Sequence, residues 1–149
     1  MNTSAVRHLS FYPFVQALAR SKARFSLEAA ADDLSSCELV WWKRSVPEKK
    51  QTAPMHISIS DRCTDQWVAE VSFQEEAHYI KYGFKLTDQA GKTAWFNAYG
   101  FHAKETPEGS FEILQINETD VLRIPAWSQG CIYYQIFPER FAKSGMVQG

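Results

Sequence analysis

Along most of this chain polar and apolar side chains alternate with a period of two, and that pattern limits the fold more than any other property of the sequence. Successive residues of an extended strand point to opposite faces, so such a segment can bury one face and leave the other in water. Phe25, Leu27 and Ala29 alternate with Arg24, Ser26 and Glu28. Trp67, Ala69, Val71 and Phe73 share a face, and Ile80, Tyr82, Phe84 and Leu86 do the same opposite Lys81, Gly83 and Lys85. Shorter runs at 38–43, 56–60, 93–97 and 111–116 are rich in the branched and aromatic residues that suit a pleated surface, which brings the expectation to about seven strands.

Turn chemistry punctuates these runs at Asp32-Asp33, Ser60-Asp61-Arg62, Asp88-Gln89-Ala90-Gly91 and Thr106-Pro107-Glu108-Gly109. The 88–91 cluster joins two strong runs and predicts a hairpin with Gly91 at positive φ. Residues 45–55, holding Pro47, Pro54 and the Lys49-Lys50 pair, read as a longer solvated loop. Residues 11–20 are the one helix candidate, with Pro13 in a first turn. With 149 residues, no internal repeat and regular turns, the chain reads as all-β: an antiparallel sandwich of immunoglobulin-like type with about seven to eight strands.

Charge excludes two functions. Sixteen basic and seventeen acidic residues leave a net charge of −1, and no clustered positive field is present to hold nucleic acid or an anionic membrane. The acids read as surface charge, and His56, His78 and His102 read as hydrogen-bonded structural groups because their spacing matches no metal signature. Cys37, Cys63 and Cys131 cannot all pair within one chain and fit buried free thiols in a reducing compartment. The moderately apolar stretch 9–19 ends in Ala17-Leu18-Ala19, yet Ser10, Tyr12, Pro13 and Gln16 interrupt it. A cytoplasmic, bacterial setting is therefore expected, with secretion left open, and Asn117-Glu118-Thr119 stays a bare sequon pattern.

Residues 132–137, Ile-Tyr-Tyr-Gln-Ile-Phe, break the alternation and resemble a strand buried on both faces, as in the parallel sheet of an α/β domain. Such a strand needs neighbours and covering helices that this sequence does not hold. The expectation is a sandwich over 1–124, the beginning of a second domain over 125–149, and an orphaned strand that pairs with its own sandwich or with another copy of the chain.

The stretch running Ile124-Pro125-Ala126-Trp127 through Phe141 resembles the start of the catalytic barrel in neopullulanases, cyclomaltodextrinases and maltogenic amylases of glycoside hydrolase family 13. The hallmark there is a Pro-x-Trp linker followed by an octapeptide that Tyr134, Gln135, Ile136, Phe137, Pro138, Glu139, Arg140 and Phe141 match in full. Upstream, residues 65–71, 82–86 and 99–101 resemble strands of the N-terminal immunoglobulin-like module of these enzymes, carbohydrate-binding module family 34. The resemblance implies that 14–19 is extended and that 125–149 are the linker and first strand of a truncated (β/α)8 barrel. It also implies a parent enzyme cleaving α-glucosidic bonds with two carboxylates. The Asn-His, Gly-x-Arg-x-Asp and His-Asp motifs that carry this chemistry are absent from the sequence, so no catalytic residue is assigned and this part is read as non-catalytic. Ala142-Lys143-Ser144-Gly145 stands where relatives often carry a calcium-ligating Asn-Gly-Asp, so no metal and no other cofactor is assigned.

For the module itself the expected ligands are α-glucans such as maltooligosaccharides and cyclodextrins. Sugar rings present apolar faces that stack on exposed aromatics. Trp41 and Trp42 are adjacent on a strand, so one is expected to face outward, while Trp95 and Tyr99 beside Asn97 form a second candidate pair. Trp67, Phe73 and Phe84 are expected in the core. In the family this module often packs on the barrel of a second subunit, which implies contact with the parent's own barrel and a homodimer of the full-length protein. The loop from which relatives offer a ring reads Arg44-Ser45-Val46-Pro47-Glu48 and has none. The competing reading is a free-standing interaction or carbohydrate-binding module with no catalytic domain attached.

Overall fold

The alternating segments become strands whose apolar rows face one another across a sandwich. The computed structural model describes residues 1–121, 123–128, 130–132 and 134–136. Among these, ten strands form: β1 Val15–Ala19, β2 Lys22–Ala30, β3 Leu34–Lys43, β4 Gln51–Pro54, β5 His56–Ser60, β6 Thr64–Ser72, β7 His78–Asp88, β8 Thr93–Asn97, β9 Gly100–His102 and β10 Phe111–Gln115. A four-stranded sheet runs β1-β2-β6-β5, and a six-stranded sheet runs β4-β3-β7-β8-β9 with β10 also on β7. All the pairings are antiparallel. Met55 alone separates β4 from β5, so the chain changes sheets at that residue. Register shifts between Ala17 and Ala19 and between Ile57 and Ile59 place bulges in both outer strands of the smaller sheet.

The seven strands expected from alternation all form, and their predicted rows make the core. Phe25, Leu27, Trp67, Val71 and Phe73 from one sheet meet Leu39, Trp41, Ile80, Tyr82, Phe84 and Leu86 from the other. His8 ties the layers together. Its Nδ1–H donates to the Ser26 carbonyl at 2.7 Å, which leaves Nε2 to accept from the Tyr82 hydroxyl at 3.0 Å. Phe14, Phe84 and Phe111 pack around the ring. That burial pushes the His8 pKa down to about 4.

Several expectations change. Residues 11–20 hold a turn and then β1, so the extended reading stands over the helix. The loop expected over 45–55 gives up β4, which pairs with β3 over residues 51–54. Two acids are buried rather than solvated, because each satisfies backbone donors at a turn. Asp65 accepts from the Asp32 N–H, where φ is +57°, and Asp88 accepts from the N–H groups of Ala90 and Lys92 in the β7–β8 hairpin. Of the thiols only Cys37 is buried, while Cys63 and Cys131 are exposed in turn and tail segments. Residues 132 and 134–136 form no strand, and Ile132, Tyr134, Gln135 and Ile136 are exposed. A run suited to burial on both faces needs a flanking strand and cover on each side, and its described residues join neither sheet. Tyr133 and the motif residues Phe137, Pro138, Glu139, Arg140 and Phe141 lie outside the described residues.

Candidate functional site

The adjacent Trp41 and Trp42 do point to opposite faces, Trp41 into the core and Trp42 onto the outer face of the six-stranded sheet. That outer face is nevertheless closed. Trp42 is 2% exposed and Trp95 3%, and the two cluster with Val40. Gly83 of β7 makes the packing possible, since a Cβ there would come within 2.3 Å of the Trp95 ring. Lys50 Nζ lies 4.9 Å from the centre of the Trp42 ring, and its ion pair with Glu105 ties the β3–β4 loop to the β9–β10 loop. Trp41, Trp42 and Trp95 therefore present no face to a sugar, which corrects their selection from the sequence.

Tyr99 differs. It sits at the tip of the β8–β9 turn and is 78% exposed. Its ring rests on Gly109, where φ is +71° and an added Cβ would meet the ring at 2.4 Å. The buried Asn97 fixes the corner. Its Nδ2 donates to the Glu108 carbonyl at 2.9 Å, and its Oδ1 accepts from the Tyr99 N–H at 2.9 Å and from His102 Nε2 at 3.1 Å. Glu108 takes a hydrogen bond from the Thr106 hydroxyl, which holds its carboxyl below the ordinary range. The result is an open ring on a rigid seat with a carboxylate and an imidazole nearby. Such a surface suits apolar stacking with polar contacts at its margin.

Among the other histidines chosen from the sequence, His56 and His78 are exposed on strands, and the buried structural histidine is His8, which was not selected. No group of three or more metal-ligating side chains occurs among the described residues. No helix among them is long and apolar enough to cross a membrane. Tyr12 and Tyr79 are among the exposed rings that the alternation pattern does not mark. Tyr12 stands at the rim of a groove on the smaller sheet, and Tyr79, at φ +50°, packs 4.4 Å beneath the Arg44 guanidinium, so the start of β7 supplies a ring beside the ringless 44–48 loop. Tyr12 falls within the segment read as a helix candidate, and its place three residues before β1 is the signal available.

Comparison with known proteins follows the same outline. The family model described as "Alpha amylase, N-terminal ig-like domain" matches residues 1–117. Neopullulanase 2 of Thermoactinomyces vulgaris is 29% identical over 144 residues, covering 95% of this chain and 24% of the relative. A cyclomaltodextrinase of a Bacillus species is 40% identical over 91 residues, covering 60% of this chain and 16% of the relative. The maltogenic alpha-amylase of Bacillus acidopullulyticus is 28% identical, covering 95% and 25% respectively. A solved cyclomaltodextrinase superposes with a TM-score of 0.81 at 28% identity, covering 93% of this chain and 24% of that one. The chain spans about a quarter of the length of the relatives that it matches nearly end to end.

Proposed function

The chain belongs to the alpha-amylase N-terminal ig-like domain family, and from that premise we propose that it is the non-catalytic N-terminal domain of an α-glucan-cleaving hydrolase, where it contributes glucan contact and supports a homodimer of the full-length protein. Residues 125–149 are then the linker and opening strand of the barrel, and the coding sequence downstream of Gly149 continues into that barrel with an Asn-His motif. A stop codon directly after Gly149 contradicts this arrangement.

The observation that carries the glucan reading is Tyr99, a ring open on one side and locked on the other by Gly109 and Asn97. A ring already held in place loses little freedom when a sugar stacks on it. Titration of the 149-residue chain with β-cyclodextrin by calorimetry tests it. Saturable binding at millimolar ligand is expected, weakened about ten-fold by Tyr99→Ala, the loss of one stacked ring. Equal affinity in the variant overturns the assignment to Tyr99.

A further inference from the structure

A groove of about 730 Å³ crosses the outer face of the four-stranded sheet. Its floor is the row in which Ser26 of β2 stands opposite Val68 of β6, and Val68 opposite His56 of β5. Outward rows of a sheet that faces water are ordinarily exposed, yet Ser26 is 5% and Val68 8% exposed. The floor is sunk because the Tyr12-Pro13 turn rises on the β1 side and Ala53-Pro54 on the β5 side. Concavity of this kind is the shape that ligand sites share. Four strands about 4.8 Å apart give it a span on the order of 14 Å, room for a row of sugar rings.

The lining mixes polar and apolar groups, and its Arg24 and Glu70 charges answer each other. In the row beside the floor, Gln16 stands opposite Arg24 and Arg24 opposite Glu70. Glu70 accepts from Lys22 Nζ at 2.6 Å and from Arg24 Nη2 and Nε at 2.6 and 3.1 Å, so the guanidinium is answered within the wall. On the other side Gln66 accepts from the Ser58 hydroxyl at 3.3 Å, which leaves its NH2 group without a partner among the described residues. Tyr12 is 66% exposed at the rim. Uncharged amides beside an open ring, over a floor of Ser26, Val68 and His56 that mixes polar and apolar groups, suit a neutral polyol, and the internal Arg24–Glu70 pairing disfavours an anion.

We infer that this groove is a binding site for a linear α-glucan, with Tyr12 stacking on a sugar ring and the amides of Gln16 and Gln66 taking hydroxyls. The class of ligand rests on the function proposed above, whereas the groove and its lining do not. The test is a titration of the ¹⁵N-labelled 149-residue chain with maltohexaose, read residue by residue. Shifts are expected at the amides of Gln16, Ser26, Gln66 and Val68, and Tyr12→Ala is expected to weaken them about ten-fold in Kd while leaving any response around Tyr99 unchanged. Shifts confined to residues 97–110 overturn the groove and keep the glucan reading. An unshifted spectrum overturns both. Groove shifts of undiminished affinity in both Tyr12→Ala and the double variant Gln16→Ala with Gln66→Ala overturn the named contacts.

Discussion

The two outer faces of this sandwich use aromatic side chains in opposite ways. On the six-stranded sheet, Trp42 and Trp95 are buried, Trp95 seated by the missing side chain of Gly83 and Trp42 covered by Lys50, whose pair with Glu105 joins two loops. On the four-stranded sheet the centre is paved with Ser26 and Val68, no loop among the described residues crosses it, and the ring of Tyr12 stands at the rim. A large ring facing out of a sheet is thus a poor marker of a ligand site by itself. What separates the two faces is whether another stretch of chain is tied down above them.

The comparison breaks most visibly in stability. Trp95→Ala is expected to lower unfolding free energy by about 3–5 kcal/mol, with the indole N–H, buried without a partner among the described residues, moderating the loss. Tyr12→Ala is expected to stay within about 0.5 kcal/mol of the parent. Urea denaturation measures both, and similar values would erase the distinction between a covered and an open face.

Both faces rest on one core, and acid tests that dependence. His8 titrates near pH 4 when folded and near 6.5 when unfolded, so below pH 6.5 the unfolded chain takes up a proton that the folded chain refuses. Stability is complete above pH 6.5 and falls by about 3 kcal/mol as the pH approaches 4. Carboxylates held low in the fold, such as Glu70 at about 2, add to acid loss only below the ordinary carboxylate range. Urea midpoints between pH 7 and 4.5 should therefore slope in the parent and flatten in His8→Gln. A slope unchanged by the substitution would assign the acid sensitivity elsewhere.

A smaller loss than that of Trp95→Ala sharpens the covered face. Gly83→Ala puts a methyl into the space of the Trp95 ring and is expected to cost about 1–3 kcal/mol, with tryptophan emission shifting red as the ring lifts toward water. An unaltered emission maximum would mean that the ring does not need its glycine seat.

Strand positions were legible wherever side chains alternate over several residues, because burial of one face writes itself into neighbouring positions. β1, β4 and β9 escaped that reading: Val15–Ala19 shows no clear alternation, Gln51-Thr52-Ala53-Pro54 is mostly exposed and carries a proline, and Gly100-Phe101-His102 is too short to show a period. The site was less legible. Opposite facing of Trp41 and Trp42 follows from local geometry, but closure over Trp42 joins Lys50 of the next loop to Gly83 and Glu105, which lie tens of residues away in sequence. Tyr99 gave a local signal through its place after β8 beside Asn97, whereas the groove at Tyr12 exists only once β1, β2, β6 and β5 lie side by side.

The strand order also governs when the fold can exist at all. β2 must wait for β6, which ends at Ser72, and β3 for β7, which ends at Asp88. Neither central ladder is built from neighbours in sequence, so loop closure over long spans precedes any gain from packing. On a ribosome making about 5–20 residues per second, the apolar rows of β2 and β3 spend seconds without their partners, and the first half of the chain depends on protection from other nascent chains until Asp88 has emerged.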